Sequence, residues 1–150
     1  MIFIFTGPIQ SGKTTSLINW SGNRNDVCGI LTPVVSGKRV FMNAQTKEQF
    51  PMEVTEREEE VLAIGKFIFS KTGFDRAAQI IREAMHKKGW LIIDEIGPLE
   101  LRDEGFHAIV KEAAEKRKEK IILVVREVLA KQVGNHFNIN AEIITSVDNL

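Results

Sequence analysis

The chain of 150 residues predicts an α/β fold. The expected form is a three-layer sandwich, a mostly parallel sheet covered by helices, with a β-hairpin inserted after the second strand. Three observations carry that expectation. A nearly unbroken apolar run, Ile2-Phe3-Ile4-Phe5, leads straight into a glycine-bracketed loop, as a strand buried on both faces would. Apolar runs of strand length then alternate with segments of helical spacing. A later run, Leu91-Ile92-Ile93, ends in two adjacent carboxylates, Asp94 and Glu95.

Taken in order, residues 2–6 form the first strand, and Lys13 to Trp20 a short helix stopped by the turn-rich Ser21-Gly22-Asn23. Val27 to Thr32 is the second strand. Lys38 to Asn43 and Gln49 to Val54 read as the arms of a hairpin turning near Asn43-Ala44-Gln45-Thr46. The charge run Glu56 to Glu60 reads as an exposed loop, and Phe67 to Phe69 as one more short strand. Asp75 to Lys88 places Ala77, Ala78, Ile80, Ile81, Ala84 and Met85 on one helical face. A strand at 90–93, a helix at 106–118, a strand at 120–125, a short helix at 127–133 and a strand at 142–145 complete the alternation. No repeat and no linker interrupts it, so residues 1–150 are expected to form one domain.

The loop Gly7-Pro8-Ile9-Gln10-Ser11-Gly12-Lys13-Thr14 fits the phosphate-binding pattern G-x-x-x-x-G-K-[ST], and it lies between a strand and a helix, where that pattern works. Its glycines allow a tight turn in which backbone N–H groups converge on an anion, and the helix adds the positive end of its dipole. Lys13 would reach the β- and γ-phosphates and Thr14 would ligate magnesium. With Thr15, the residues from Gly7 onward are the expected nucleotide contacts.

Such a loop needs an acid at the end of another strand in the same sheet. Asp94 is placed to hold magnesium with Thr14, and Glu95 to orient or deprotonate an attacking water. Arg126 closes the strand Ile121 to Val125. If that strand lies between the other two, the guanidinium faces the phosphates and can act on the γ-phosphate; a surface ion pair with Glu127 or another acid is the plainer alternative.

Bulk properties narrow the partners. Twenty basic residues balance twenty acidic ones, and the dense block Lys111 to Lys120 alternates in sign, so a nucleic-acid partner has no support. No apolar run approaches membrane-spanning length and no signal peptide is visible, which makes the cytoplasm the expected compartment. Cys28, the single cysteine, reads as a small core residue. Trp20 and Trp90 read as core. His86, His107 and His136 show no metal-ligand spacing, and Glu100, Asp103 and Glu104 read as a solvated loop.

The loop, the segments Gly29-Ile30-Leu31-Thr32 and Gly37-Lys38-Arg39-Val40-Phe41, and Asp94-Glu95-Ile96-Gly97-Pro98-Leu99-Glu100-Leu101 together resemble the thermostable nucleoside-triphosphatase family. The resemblance runs over essentially the whole chain. It implies a phosphate-loop NTPase fold of the additional-strand type and magnesium-dependent hydrolysis of nucleoside triphosphates to diphosphates with broad base tolerance. By position it assigns Lys13, Thr14, Asp94 and Glu95 to phosphate, metal and catalytic roles. The chain departs from the family at Pro33-Val34-Val35, where a charged stretch is usual, and lacks the glycine before Phe41, while Arg39 remains available. Two alternatives stay open on the residues alone. One is a small-molecule kinase, whose candidate lid at 45–57 carries only Lys47 and Arg57. The other is a nucleotide-gated binding module presenting Val40, Phe41, Met42, Phe50 and Met52. Base preference and oligomeric state are not encoded legibly.

Overall fold

The computed structural model describes residues 1–55 and 60–150. Strand β1 (Ile2–Gly7) passes through the loop into α1 (Lys13–Ser21), and β2 (Val27–Leu31) follows. The next segment holds β3 (Val34–Val35), β4 (Lys38–Asn43), β5 (Gln49–Pro51), β6 (Glu53–Val54), β7 (Val61–Ile64) and β8 (Phe67–Ser70). Then come α2 (Lys71–Glu83), β9 (Trp90–Ile96), α3 (Pro98–Leu101), α4 (His107–Lys116), β10 (Lys120–Arg126), α5 (Ala130–His136) and β11 (Glu142–Ile144).

The main sheet runs in the order β11-β1-β10-β9-β2-β4-β3, with β5 also paired to β4. The five strands from β11 to β2 are parallel, and β4 turns antiparallel against β2. The sheet is therefore mostly parallel with an antiparallel edge, as expected. β10 separates β1 from β9, which is the condition that brings Arg126 to the tips of the other two strands.

Side-chain alternation explains the layers. Phe3, Phe5, Ile92, Ile122 and Val124 pack on one face with Leu17 of α1 and Trp90, while Ile4, Leu91, Ile93, Ile121, Leu123 and Val125 pack on the other with α2 and α4. Trp20 meets Trp90 edge to face at 5.4 Å, and Cys28 is buried with its thiol against the Trp90 carbonyl. Gly29 sits at φ 108 opposite Ile92, where a Cβ would strike the Ile92 carbonyl, so β2 and β9 approach this closely only with glycine.

The insertion keeps the expected hairpin and differs from expectation around it. β4 and β5 form the hairpin, turned by Asn43, whose side-chain oxygen accepts from the N–H groups of Gln45 and Thr46. The second arm stops at Pro51, which has no N–H to extend a ladder, and residues 53–54 join a separate sheet, β6-β8-β7. Strand β7 and the short β3 carried no clear alternation. Residues 56–59 of the charge run, with Arg57 of the candidate lid, lie outside the described residues, and Glu60 is exposed. Helix α2 begins at Lys71, four residues earlier than its apolar stripe suggests, because Ser70 caps it by accepting from the Gly73 N–H. The hairpin's apolar side chains face inward: Phe41, Met42, Phe50 and Met52 are buried, with Phe41 packed on Phe50, Phe74 and Phe106.

Candidate nucleotide site

The site forms where β1, β10, β9 and β2 end side by side. In the loop, Gln10 and Gly12 adopt left-handed backbone, φ 56 and φ 80, and Gly12 hands the chain into α1 by accepting from the Ser16 N–H. Two left-handed residues so close together wrap the loop around the helix N-terminus, the shape that gathers backbone N–H groups. Gly7, Lys13 and Thr14 are half-buried, whereas Pro8 to Gly12 and Thr15 are exposed. The Lys13 ammonium folds over the loop and donates to the carbonyls of Gly7 (3.3 Å) and Pro8 (3.1 Å). A cleft of about 400 Å³ adjoins this ammonium, bordered by Gly7, Pro8, Ser11, Glu127 and Thr145.

Asp94 is fully buried. Its Oδ2 accepts the Thr14 hydroxyl at 2.7 Å and the Thr32 N–H at 3.1 Å, so α1, β9 and the end of β2 meet on one oxygen. Its Oδ1 is buried with no hydrogen-bond partner among the described residues. Desolvation raises the Asp94 pKa above the ordinary aspartate value; the Thr14 hydroxyl opposes that shift and the charge of Glu95 adds to it. A sealed carboxylate with one orphaned oxygen, beside a threonine hydroxyl, is the donor set that fits a hard divalent cation such as Mg²⁺.

Glu95 reaches the same site through a β-bulge. Pairing between β10 and β9 runs Val124 with Asp94 and then Val125 with Ile96, leaving Glu95 as the extra residue. Consecutive strand residues normally face opposite sides of a sheet, and a bulge re-aims a side chain. The Glu95 carboxylate lies 3.1 Å from Arg126 Nε through Oε1 and 3.8 Å from the Arg39 guanidinium through Oε2. Arg126 thus pairs with an acid, as the plainer sequence alternative allowed, and that acid is Glu95.

Arg39 is the residue that sequence reasoning left outside the site. It enters from β4, donating to the Thr32 carbonyl at 2.8 Å as it approaches Glu95. The family resemblance had marked Arg39 only as available, and its approach depends on the β3–β4 turn, in which Val34 pairs with Arg39. Glu100 is a correction. It is 2% exposed, and its two oxygens accept from the N–H groups of Gly97 and Phe106, so it ties down the turn after Glu95. Burial raises its pKa from 4.5 to about 7. His107 and His136 are a second correction: folding brings both rings to Asp103, despite their lack of ligand spacing in the sequence.

The NTPase family matches the chain over residues 2–147. The chain belongs to that family. As a member of the NTPase family it is an enzyme with nucleoside-triphosphatase activity. Two solved structures share its fold. The crystal structure of THEP1 from the hyperthermophile Aquifex aeolicus is 20% identical at a TM-score of 0.73, covering 99% of this chain and 92% of that one. The solution structure of a human cancer-related nucleoside triphosphatase is also 20% identical at a TM-score of 0.67, covering 99% and 89%. No curated protein sequence matches the chain significantly. Among the described residues, no helix is long and apolar enough to cross a membrane.

Proposed function

We propose that this NTPase hydrolyses nucleoside 5′-triphosphates to diphosphate and inorganic phosphate, depends on Mg²⁺, tolerates different bases and works in the cytoplasm. The observation that carries the reading is the convergence of Thr14, Asp94 and Glu95 at the strand tips beside the loop. In this proposal the loop from Gly7 to Thr15 holds the phosphates through backbone N–H groups. Lys13 leaves its carbonyl partners to bind the β- and γ-phosphates.

Thr14 and Asp94 would hold the cation, which would supply positive charge to offset that of the phosphates. Glu95 orients the attacking water and takes its proton as the water oxygen bonds to the γ-phosphorus. The bond to the bridging oxygen breaks, and the nucleoside diphosphate leaves with the electron pair. Arg126 pairs with Glu95 before substrate binds. A γ-phosphate competes for that guanidinium, which then stabilises transition-state charge and releases Glu95 as a base. Arg39 keeps the second carboxylate oxygen in place.

The cleft of about 400 Å³ beside the loop accommodates the nucleoside. Its lining includes Phe5, Thr145 and Glu127. Burial of Phe41, Met42, Phe50 and Met52 removes the apolar face that a binding module would present. The test is phosphate release from ATP, GTP, CTP and UTP, with and without Mg²⁺, beside the Lys13→Ala protein. Comparable, magnesium-dependent turnover of all four that vanishes in Lys13→Ala supports the reading. Transfer to a metabolite acceptor faster than to water would replace it with the kinase.

A further inference from the structure

We infer that Asp103, His107 and His136 form a second cation site, outside the nucleotide site, that takes a first-row transition-metal dication such as Zn²⁺. The three residues come from separate places: the turn after α3, the first residue of α4 and the last residue of α5. Their candidate ligand atoms all lie within 4.8 Å of one another. Asp103 Oδ1 stands 2.9 Å from His136 Nε2 and 3.3 Å from His107 Nδ1. Ligands at about 2.0–2.1 Å on a tetrahedral ion are separated by about 3.3 Å, so the three atoms need little movement to share one.

Hydrogen bonding alone does not account for the cluster. His107 Nδ1 is buried yet has no hydrogen-bond partner among the described residues, although the carboxylate is near. An orphaned ring nitrogen beside a second imidazole and a carboxylate is satisfied by an ion on which all three converge. The rings are already positioned: Phe137 lies 5.2 Å from each, and the two imidazoles meet at 5.3 Å. Two nitrogens and one oxygen select zinc-like ions over magnesium, which prefers oxygen throughout. The Asp103 side chain is 67% exposed, so the fourth position opens to water. Such an ion clasps the turn that follows Asp94 and Glu95 to the helix that follows Arg126, bracing both strand ends that carry the proposed chemistry.

The test is calorimetric titration of the metal-free protein with Zn²⁺ in excess Mg²⁺, with Co²⁺ visible absorption reporting coordination. Asp103→Asn keeps the turn, because asparagine tolerates the left-handed φ of 61 at that position. One equivalent should bind to the wild type and to Asp94→Asn, with affinity at least about tenfold weaker in Asp103→Asn and His136→Ala. The tetrahedral Co²⁺ absorption should disappear in the same two variants while their circular dichroism stays native. Absence of stoichiometric binding in the wild type overturns the site. So does equal binding by His136→Ala and Asp103→Asn, or loss in Asp94→Asn alone, which would place the ion in the nucleotide site.

Discussion

Glu100 makes the fold pH-sensitive, in a direction set by its burial. In the unfolded chain its carboxyl titrates near 4.5, and in the native protein near about 7, because burial disfavours the charge more than the Gly97 and Phe106 N–H groups favour it. The native state therefore holds this proton more tightly. At about 1.4 kcal/mol per pH unit, the interval corresponds to about 3 kcal/mol. That contribution is complete below pH 4.5 and declines as pH rises, until it is gone above about 7.

Glu100→Gln isolates the effect. The amide does not titrate, so the pH dependence from this position disappears. Its single acceptor oxygen also leaves one of the two backbone N–H groups facing an amide, at about 1–3 kcal/mol independent of pH. Urea unfolding followed by the fluorescence of Trp20 and Trp90 gives both stabilities across the range. The wild type should exceed Glu100→Gln most at the acidic end, and the difference should shrink by about 3 kcal/mol between about pH 4.5 and 8. A difference that stays constant with pH refutes the reasoning.

The remaining predictions concern the arginines. Arg126→Ala should lower kcat on the order of 10²–10³-fold with little change in KM, as loss of one transition-state donor does, and steady-state phosphate release measures it. A change in KM alone would make Arg126 a substrate-binding residue instead. Arg117 donates to the carbonyls of Ala84, Met85, Lys87, Gly89 and Lys120, so it fastens the end of α2 to the turn before β9. Arg117→Met should destabilise the protein by about 3 kcal/mol in urea unfolding, since several carbonyls lose a charged donor together. A loss below about 1 kcal/mol would mean water replaces the guanidinium without penalty.

What the sequence discloses divides by range. The loop from Gly7 to Thr14 and the strand ending at Asp94-Glu95 are contiguous motifs in which residue type and local structure state the same thing, and both were legible. The order β1-β10-β9 was legible as a condition on Arg126, which the topology meets. The bulge that turns Glu95 toward Arg126 was not, because a register shift is decided between strands. Arg39 reaches Glu95 only through a hairpin whose pairing is non-local. Glu100 looked solvated because the charged Arg102, Asp103 and Glu104 follow closely in sequence, yet its side chain turns inward to cap two backbone N–H groups. His107 and His136 meet across two helices, a proximity no spacing rule encodes. The strands of the second sheet are too short, two to four residues, to show a period.

The central claim is that Glu95 converts bound triphosphate into product. Single-turnover hydrolysis by Glu95→Gln, beside equilibrium binding of a non-hydrolysable triphosphate to the same protein, tests it most directly. The account predicts nucleotide affinity within a few-fold of the wild type and a chemical step slower by on the order of 10²–10⁴-fold, the contribution of a positioned general base. An unchanged chemical step in a variant that binds normally would contradict it.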